Sequence, residues 1–221
     1  MTTTPLLEVQ EMVLLTLARA EENALSLANA DLARTLNLPL SALDTPLAHL
    51  AEHALIAITP NQITLTAAGR ERARGLLRRH RIVERHFTDV LGLDWARAHE
   101  EADRLEHLVS PATEAQLADQ LGNPDTCPHG NPIPFAFDDT AHAPQLSLAD
   151  CHSHTRATIV RIGLETSATL QHLATLGLLP NVEIVVENRA PFNGPVLVRV
   201  GHAHYALGRD LAKRIWVKET K

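Results

Sequence analysis

Between Leu6 and Thr66 the spacing of apolar residues changes once, at Leu55, from a helical period to strand alternation, and few folds accommodate that order. Leu6, Val9, Val13, Leu14 and Leu17 recur at intervals that predict a helix over 6–20. Asn29 to Leu36 reads as a second, short helix. A third follows, with two readings of its start: Ser41-Ala-Leu-Asp44 has the look of a capping box, whereas Pro46 suits a first helical position with Thr45 as cap. Leu55-Ile-Ala-Ile-Thr and Ile63-Thr-Leu-Thr66 then alternate around Pro60-Asn61, which predicts a hairpin. Helix, helix-turn-helix and hairpin is the order of a winged helix.

Helical spacing returns from Ala67 to about His86 and from Trp95 to about Val109, where Ser110-Pro111 reads as a stop, and again from Ala112 to Leu121. Residues 122–150 contain Pro124, Pro128, Pro132, Pro134 and Pro144 with little periodicity, which predicts a tethering linker. Beyond it, residues 157–162, 182–186, 195–200 and 214–217 alternate as short strands around one helix, Ser167 to Leu176, closed by Gly177. The expected class is α+β, with a small β-barrel at the C-terminal end.

The 221 residues suffice for one or two buried cores, and no stretch approaches the roughly 18 to 20 consecutive apolar residues of a membrane helix. The N-terminal residues show no secretory pattern, so a cytoplasmic location is expected, without a membrane partner. Cys127 and Cys151 are too few for a disulfide framework. A net charge of -6 speaks against a nonspecific nucleic-acid coat, but the charge is uneven. Seven arginines lie between Arg70 and Arg85, and four carboxylates lie within 98–106.

Thirteen histidines beside four Phe, two Trp and one Tyr raise the question of metal. On a helix His80 and Glu84 share a face, as do Asp103, Glu106 and His107, with His99 one turn before Asp103. Two such helices brought together can supply three or more ligands to a divalent transition metal. The same spacing also suits a plain solvated face.

The wording around these residues separates the two readings. Leu77-Arg-Arg-His80-Arg-Ile-Val-Glu84, Leu91-Gly-Leu-Asp-Trp95, Ala98-His99-Glu-Glu-Ala-Asp103-Arg-Leu-Glu106-His107-Leu-Val-Ser110 and Cys127-Pro-His-Gly-Asn-Pro-Ile-Pro134 resemble the diphtheria toxin repressor family of metal-dependent transcriptional regulators. The resemblance covers the whole chain. It implies a winged-helix DNA-binding domain over 1–70, a helical dimerisation and metal-binding domain over 71–130, a Pro-rich linker over 131–152, and an SH3-like domain over 153–221 that is similar to the ferrous-transport accessory module. It implies no enzyme activity and no small-molecule substrate.

By the same resemblance, Met12, Asp103, Glu106 and His107 match the effector metal site, and His80, Glu84 and His99 the ancillary site, to which Glu165 is the nearest candidate from the C-terminal domain. Gln171 and His172 are alternatives to Glu165, and a surface role suits all three. The iron-sensing branch has cysteine at the position of Asp103 and the manganese branch usually glutamate. A hard oxygen donor there favours Mn(II), with Fe(II) second, while Met12 pulls toward softer ions. Cys127 and His129 read as a structural turn, because spacing supplies no two further ligands for zinc.

The implied partners are a second copy of the chain and double-stranded operator DNA of near-palindromic sequence. Residues 41–53 would enter the major groove with the hairpin tip beside the backbone, and Ser41, Asp44, Thr45, His49 and Asn61 are the candidates for facing DNA. For Asp44 the reading is a helix cap ahead of acceptance from a cytosine amino group. Arg34 is the one Lys or Arg between Arg19 and Arg70, which predicts either modest affinity for DNA or phosphate contact through amides, hydroxyls and helix N-termini. A metal-dependent hydrolase has no support here, since no nucleophile elbow, phosphate loop or zinc-protease motif is present. A metal-sensing or buffering protein without sequence-specific DNA binding is the alternative function.

Overall fold

A computed structural model describes residues 6–134, 146–163 and 166–220. They form α1 (Leu6–Glu22), α2 (Asn29–Thr35), a 3-10 turn (Leu40–Leu43), α3 (Asp44–Glu52), β1 (Ile56–Thr59), β2 (Gln62–Leu65), α4 (Ala67–Asp89), α5 (Trp95–Leu105), a second 3-10 turn (Glu106–Leu108) and α6 (Pro111–Gln120). The C-terminal part contains β3 (Leu146–Ser147), β4 (Thr155–Ile162), α7 (Ser167–Thr175), β5 (Glu183–Arg189), β6 (Val196–Val200), β7 (Ala203–Leu207), α8 (Arg209–Ala212) and β8 (Ile215–Glu219). Two compact units result, Met1–His80 with Asp103–Gln116 and Arg81–Ala102 with Leu117–Lys221. No described helix is long and apolar enough to cross a membrane.

The first unit holds the winged helix. Val13, Leu14 and Leu17 of α1 pack with Leu32, Leu43, Leu47, Leu50, Ile56, Ile63, Leu65, Leu76 and Leu77, all almost without exposure. Each such side chain contributes roughly 1.5–3 kcal/mol on burial. The hairpin pairs Thr59 with Gln62 across Pro60-Asn61, and Thr59 Oγ1 donates to the Gln62 carbonyl at 2.9 Å. Thr66 opens α4: its hydroxyl accepts from the Gly69 amide at 3.0 Å and donates to the Ala54 carbonyl at 2.6 Å.

Neither expected start of the third helix is the observed one. Ser41 lies in the 3-10 turn and α3 begins at Asp44, with Leu43 at the cap position and no side-chain cap. Pro46 is therefore the third helical residue, where an amide would lack an intrahelical partner anyway, so the proline costs no helix bond. Asp44 does not cap; it sits in the first turn, where a carboxylate is favoured by the helix dipole.

The helix expected to run to Val109 stops at Leu105 and tightens into the 3-10 turn, which buries Glu106. Ser110 then caps α6, accepting from the Thr113 amide at 3.1 Å, so Pro111 is a helical first residue rather than a mere stop.

In the second unit an all-antiparallel sheet runs in the order β3-β8-β4-β5-β6-β7. Its core joins Ile159, Ile162, Ile184, Val186, Val196, Val198, Ile215 and Val217 to Leu170 and Leu173 of α7 and to Trp95 and Ala96 of α5. Two strands leave no mark in the sequence pattern: β7, whose His204 and Tyr205 blur the alternation, and the two-residue β3.

The expected linker differs most. Residues 135–145 lie outside the described residues, but 123–134 are a packed turn rather than a tether. The Cys127 amide donates to the Asn131 carbonyl at 2.8 Å, Gly130 to Cys127 at 2.9 Å and Ile133 to Asp125 at 2.8 Å. Backbone satisfied in this way can be buried, and Cys127, His129, Asn131 and Ile133 are all 3% exposed or less.

Candidate metal centre

Two sets of donor side chains meet, one in each unit. In the first unit α1 supplies Glu11, α4 supplies His80, α5 supplies Asp103, and the 3-10 turn supplies Glu106 and His107. His107 Nδ1 lies 2.7 Å from Glu11 Oε2, and Arg72 holds the other Glu11 oxygen at 3.1 Å. His80 Nδ1 is 2.5 Å from Glu106 Oε2 and 3.4 Å from Asp103 Oδ1. Arg19 approaches Asp103 at 3.5 Å, and Arg79 donates to the Glu106 carbonyl at 3.4 Å. Four of the five donor residues are buried or nearly so, while the Asp103 side chain is 47% exposed.

His107 Nε2 is buried without a hydrogen-bond partner, 3.6 Å from Glu106 Oε1. In the neutral ring that donates Nδ1–H to Glu11, the lone pair is on Nε2, which is how metal-ligating imidazoles are usually oriented by a carboxylate. The donor set therefore fits a divalent cation. The hydrogen bond from His107 holds the Glu11 carboxyl below its usual value, against the opposing effect of burial, with the charges of His107, Arg72 and Arg79 assisting. The same hydrogen bond raises His107, again against burial, with help from the charges of Glu106, Glu11 and Glu8.

These directions set a pH dependence. A raised imidazole adds stability that is complete below its usual value of 6.5 and is lost as pH climbs through the folded value. A lowered carboxyl adds stability that is complete above 4.5 and is lost as pH falls through its folded value. In a chelating buffer, the melting-temperature difference between wild type and Glu11→Gln is therefore expected to be largest between pH 4.5 and 6.5 and to shrink as pH rises through the raised value of His107. A difference that grows steadily toward pH 8 would contradict the pairing.

In the second unit Glu84 of α4, His99 of α5 and His129 of the 123–134 turn meet, with donor atoms all within 4.8 Å of one another and exposure no greater than 3%. Glu84 Oε1 is 2.5 Å from His99 Nδ1 and Oε2 is 3.5 Å from His129 Nδ1. Cys127 Sγ lies 3.7 Å from the same His129 nitrogen. Burial opposes charge on His129, but the Glu84 charge and the contacts with Cys127 and Glu84 outweigh it and hold the imidazole well above its usual range.

The structure sorts the sequence candidates as follows. Asp103 and Glu106 both approach His80, and His107 approaches Glu106 at 3.6 Å, while Met12 is half-buried on α1, next in sequence to Glu11. His80, matched to the ancillary set, contacts Glu106 and Asp103 of the effector set. Glu84 and His99 stay together and gain His129. Glu165 lies outside the described residues, and Gln171 and His172 are exposed. Ser41, Asp44, Thr45, His49 and Asn61 are all exposed, and the His49 ring stacks on His53 at 4.2 Å. Glu11 and His129 were not among the sequence candidates. The sole clue to Glu11 in the sequence is its place beside Met12, and the neighbours of His129 are supplied only by folding.

Residues 66–135 match the iron-dependent repressor metal-binding and dimerisation domain, and residues 146–219 match the FeoA domain. The chain is 29% identical to the iron-dependent repressor IdeR of Mycobacterium leprae over 227 residues, covering 97% of this chain and 98% of that one. It is 35% identical to the diphtheria toxin repressor of Corynebacterium jeikeium over 130 residues, 58% of this chain and 54% of the relative. A solved manganese-dependent transcriptional repressor in complex with manganese superimposes with a TM-score of 0.85 at 30% identity, over 96% of this chain and all of that one. On the strength of that full-length match, this chain belongs to the family of iron- and manganese-dependent transcriptional repressors.

Proposed function

We propose that this chain is a DNA-binding transcriptional regulator, not an enzyme, whose affinity for operator DNA depends on a divalent metal, Mn(II) first and Fe(II) second. It acts as a cytoplasmic homodimer on a near-palindromic double-stranded operator and represses metal-uptake genes. The observation that carries this reading is the pairing of Glu11 on α1 with His107 on the 3-10 turn, leaving a buried, unpartnered Nε2 among carboxylates. The first helix of the winged helix is thereby tied to the donor-bearing segment within one compact unit.

Met12, Asp103, Glu106 and His107 would hold the effector cation, with Glu11 orienting His107 and His80 beside Glu106. Glu84, His99 and His129, with Cys127 adjacent, would hold a second. When bound, the cation supplies positive charge that offsets the repulsion between the carboxylates and favours the arrangement in which they converge. Ser41, Asp44, Thr45, His49 and Asn61 would face DNA, and the exposed Asn61 amide and the hydroxyls suit phosphate contact in place of arginine.

Fluorescence-anisotropy titration onto promoter DNA of metal-uptake genes, with Mn(II), Fe(II) or chelator, tests the proposal. Metal-dependent binding supports it. Absent or metal-independent binding transfers support to the buffering reading, which the absence of Lys and Arg from α3 and the hairpin favours.

Metal preference has its own check. Asp103→Cys exchanges a hard donor for a soft one, so Mn(II) affinity is expected to fall by roughly tenfold or more while Zn(II) affinity rises. Unweakened Mn(II) binding would remove the argument for manganese.

A further inference from the structure

The second donor set depends on a side chain, His129, that belongs to a short turn rather than to a helix, so something must hold its ring in place. On one side Nε2 of His129 lies 3.3 Å from the Trp95 carbonyl, which directs Nδ1 toward Glu84 and Cys127. On the other side the turn is fastened to β4. The Ile162 amide donates to the His129 carbonyl at 2.9 Å, and Asn131 Nδ2 donates to the Ile162 carbonyl at 2.9 Å. Asn131 Oδ1 in turn accepts from Arg161 at 3.4 Å, and the Arg161 guanidinium sits 4.6 Å above the Trp216 ring of β8. Asn131 and Arg161 are 1% and 7% exposed, so these are desolvated polar contacts and not surface pairs. The β4–β8 register shifts between Ile159 and Arg161, beside this stretch of strand.

We infer that Asn131 and Arg161 are positioning residues for metal binding: the C-terminal sheet tunes the affinity of the Glu84–His99–His129 site through them, by orienting His129. This rests on the second donor set proposed above. The chain of contacts runs from the Trp216 ring through Arg161 and Asn131 to the backbone on either side of Gly130, and His129 is the one donor of the set carried on that backbone. Outer partners of this kind typically change metal affinity by about 10–100-fold when removed.

The test uses the full chain carrying Asp103→Ala and His107→Ala, titrated with Co(II) and read by its ligand-field absorption. This background is expected to bind one Co(II) that Glu84→Gln abolishes. Adding Asn131→Ala is expected to weaken binding about 10–100-fold and to shift the absorption bands, with Arg161→Lys, which keeps the charge but loses the fork and the stacked plane, falling between. In a separate Glu84→Gln background, Asn131→Ala is expected to leave Mn(II) affinity at the effector site unchanged, which a general loss of structure would not. If the background binds no Co(II), or binds it regardless of Glu84→Gln, the second site itself fails. If it binds and both Asn131→Ala and Arg161→Lys match it in affinity and spectrum, the site stands and the positioning role is overturned. Should Asn131→Ala not fold, Arg161→Lys decides alone.

Discussion

Asp103→Ala is expected to erase the metal-dependent part of operator binding while leaving the fold almost untouched. Allosteric couplings of this kind usually amount to about 5–150-fold in affinity, and the whole of that gain should vanish. Two features make the variant informative. The Asp103 side chain is nearly half exposed and its ion pair with Arg19 is long at 3.5 Å, so loss of that pair costs about 1 kcal/mol or less. Yet it faces His80 at 3.4 Å on the same side as Glu106, inside the donor cluster. Anisotropy with Mn(II) and with chelator, for wild type and variant, gives the ratio directly. His107→Ala should reproduce the loss, because its Nε2 is buried without a hydrogen-bond partner, 3.6 Å from Glu106 Oε1. Retention of the full metal-dependent gain in Asp103→Ala would place the switch elsewhere.

Gly130→Ala is expected to produce the largest loss of stability. Gly130 has φ +80, and a Cβ there would lie 2.0 Å from the Val160 carbonyl oxygen and 3.0 Å from its carbon. Both contacts are backbone, so no side chain can rotate away. Left-handed strain of about 1–3 kcal/mol adds to an overpacking cost of similar size, giving roughly 3–5 kcal/mol. For a chain of this length that corresponds to a fall of about 8–15 °C in Tm. Thermal unfolding in chelator measures it, with Gly75→Ala as the control. Gly75 is inside α4 with open space around it, and alanine there should add about 0.5–1 kcal/mol. Similar melting temperatures for wild type and Gly130→Ala would mean that the turn is not clamped against β4.

What the sequence by itself determined is what lies within a turn of helix or a pair of strands. The winged helix was legible because α1, α2, α3 and the β1–β2 hairpin each announce themselves by local period, and because Pro60-Asn61 marks the only two-residue turn that the register allows. The α+β class, with most of the C-terminal strands, followed in the same way. Spacing gives the shared faces of His80 with Glu84 and of Asp103 with Glu106 and His107, whereas the grouping of Glu84 with His99 comes only from family resemblance.

Only the tertiary structure decided the rest, for a physical reason. A helical period reports which residues share a face over a few residues, whereas Glu11 and His107 meet across 96 positions. His129 reaches Glu84 only because the 123–134 turn satisfies its own amides and is fastened to β4. Prolines and weak periodicity at 122–134 read as a tether because local pattern records a missing helix or strand and says nothing of long-range hydrogen bonds. The end of α5 at Leu105 has the same origin: a 3-10 turn there buries Glu106 beside His80, an arrangement stabilised by a partner on another helix that no run of neighbouring residues reveals.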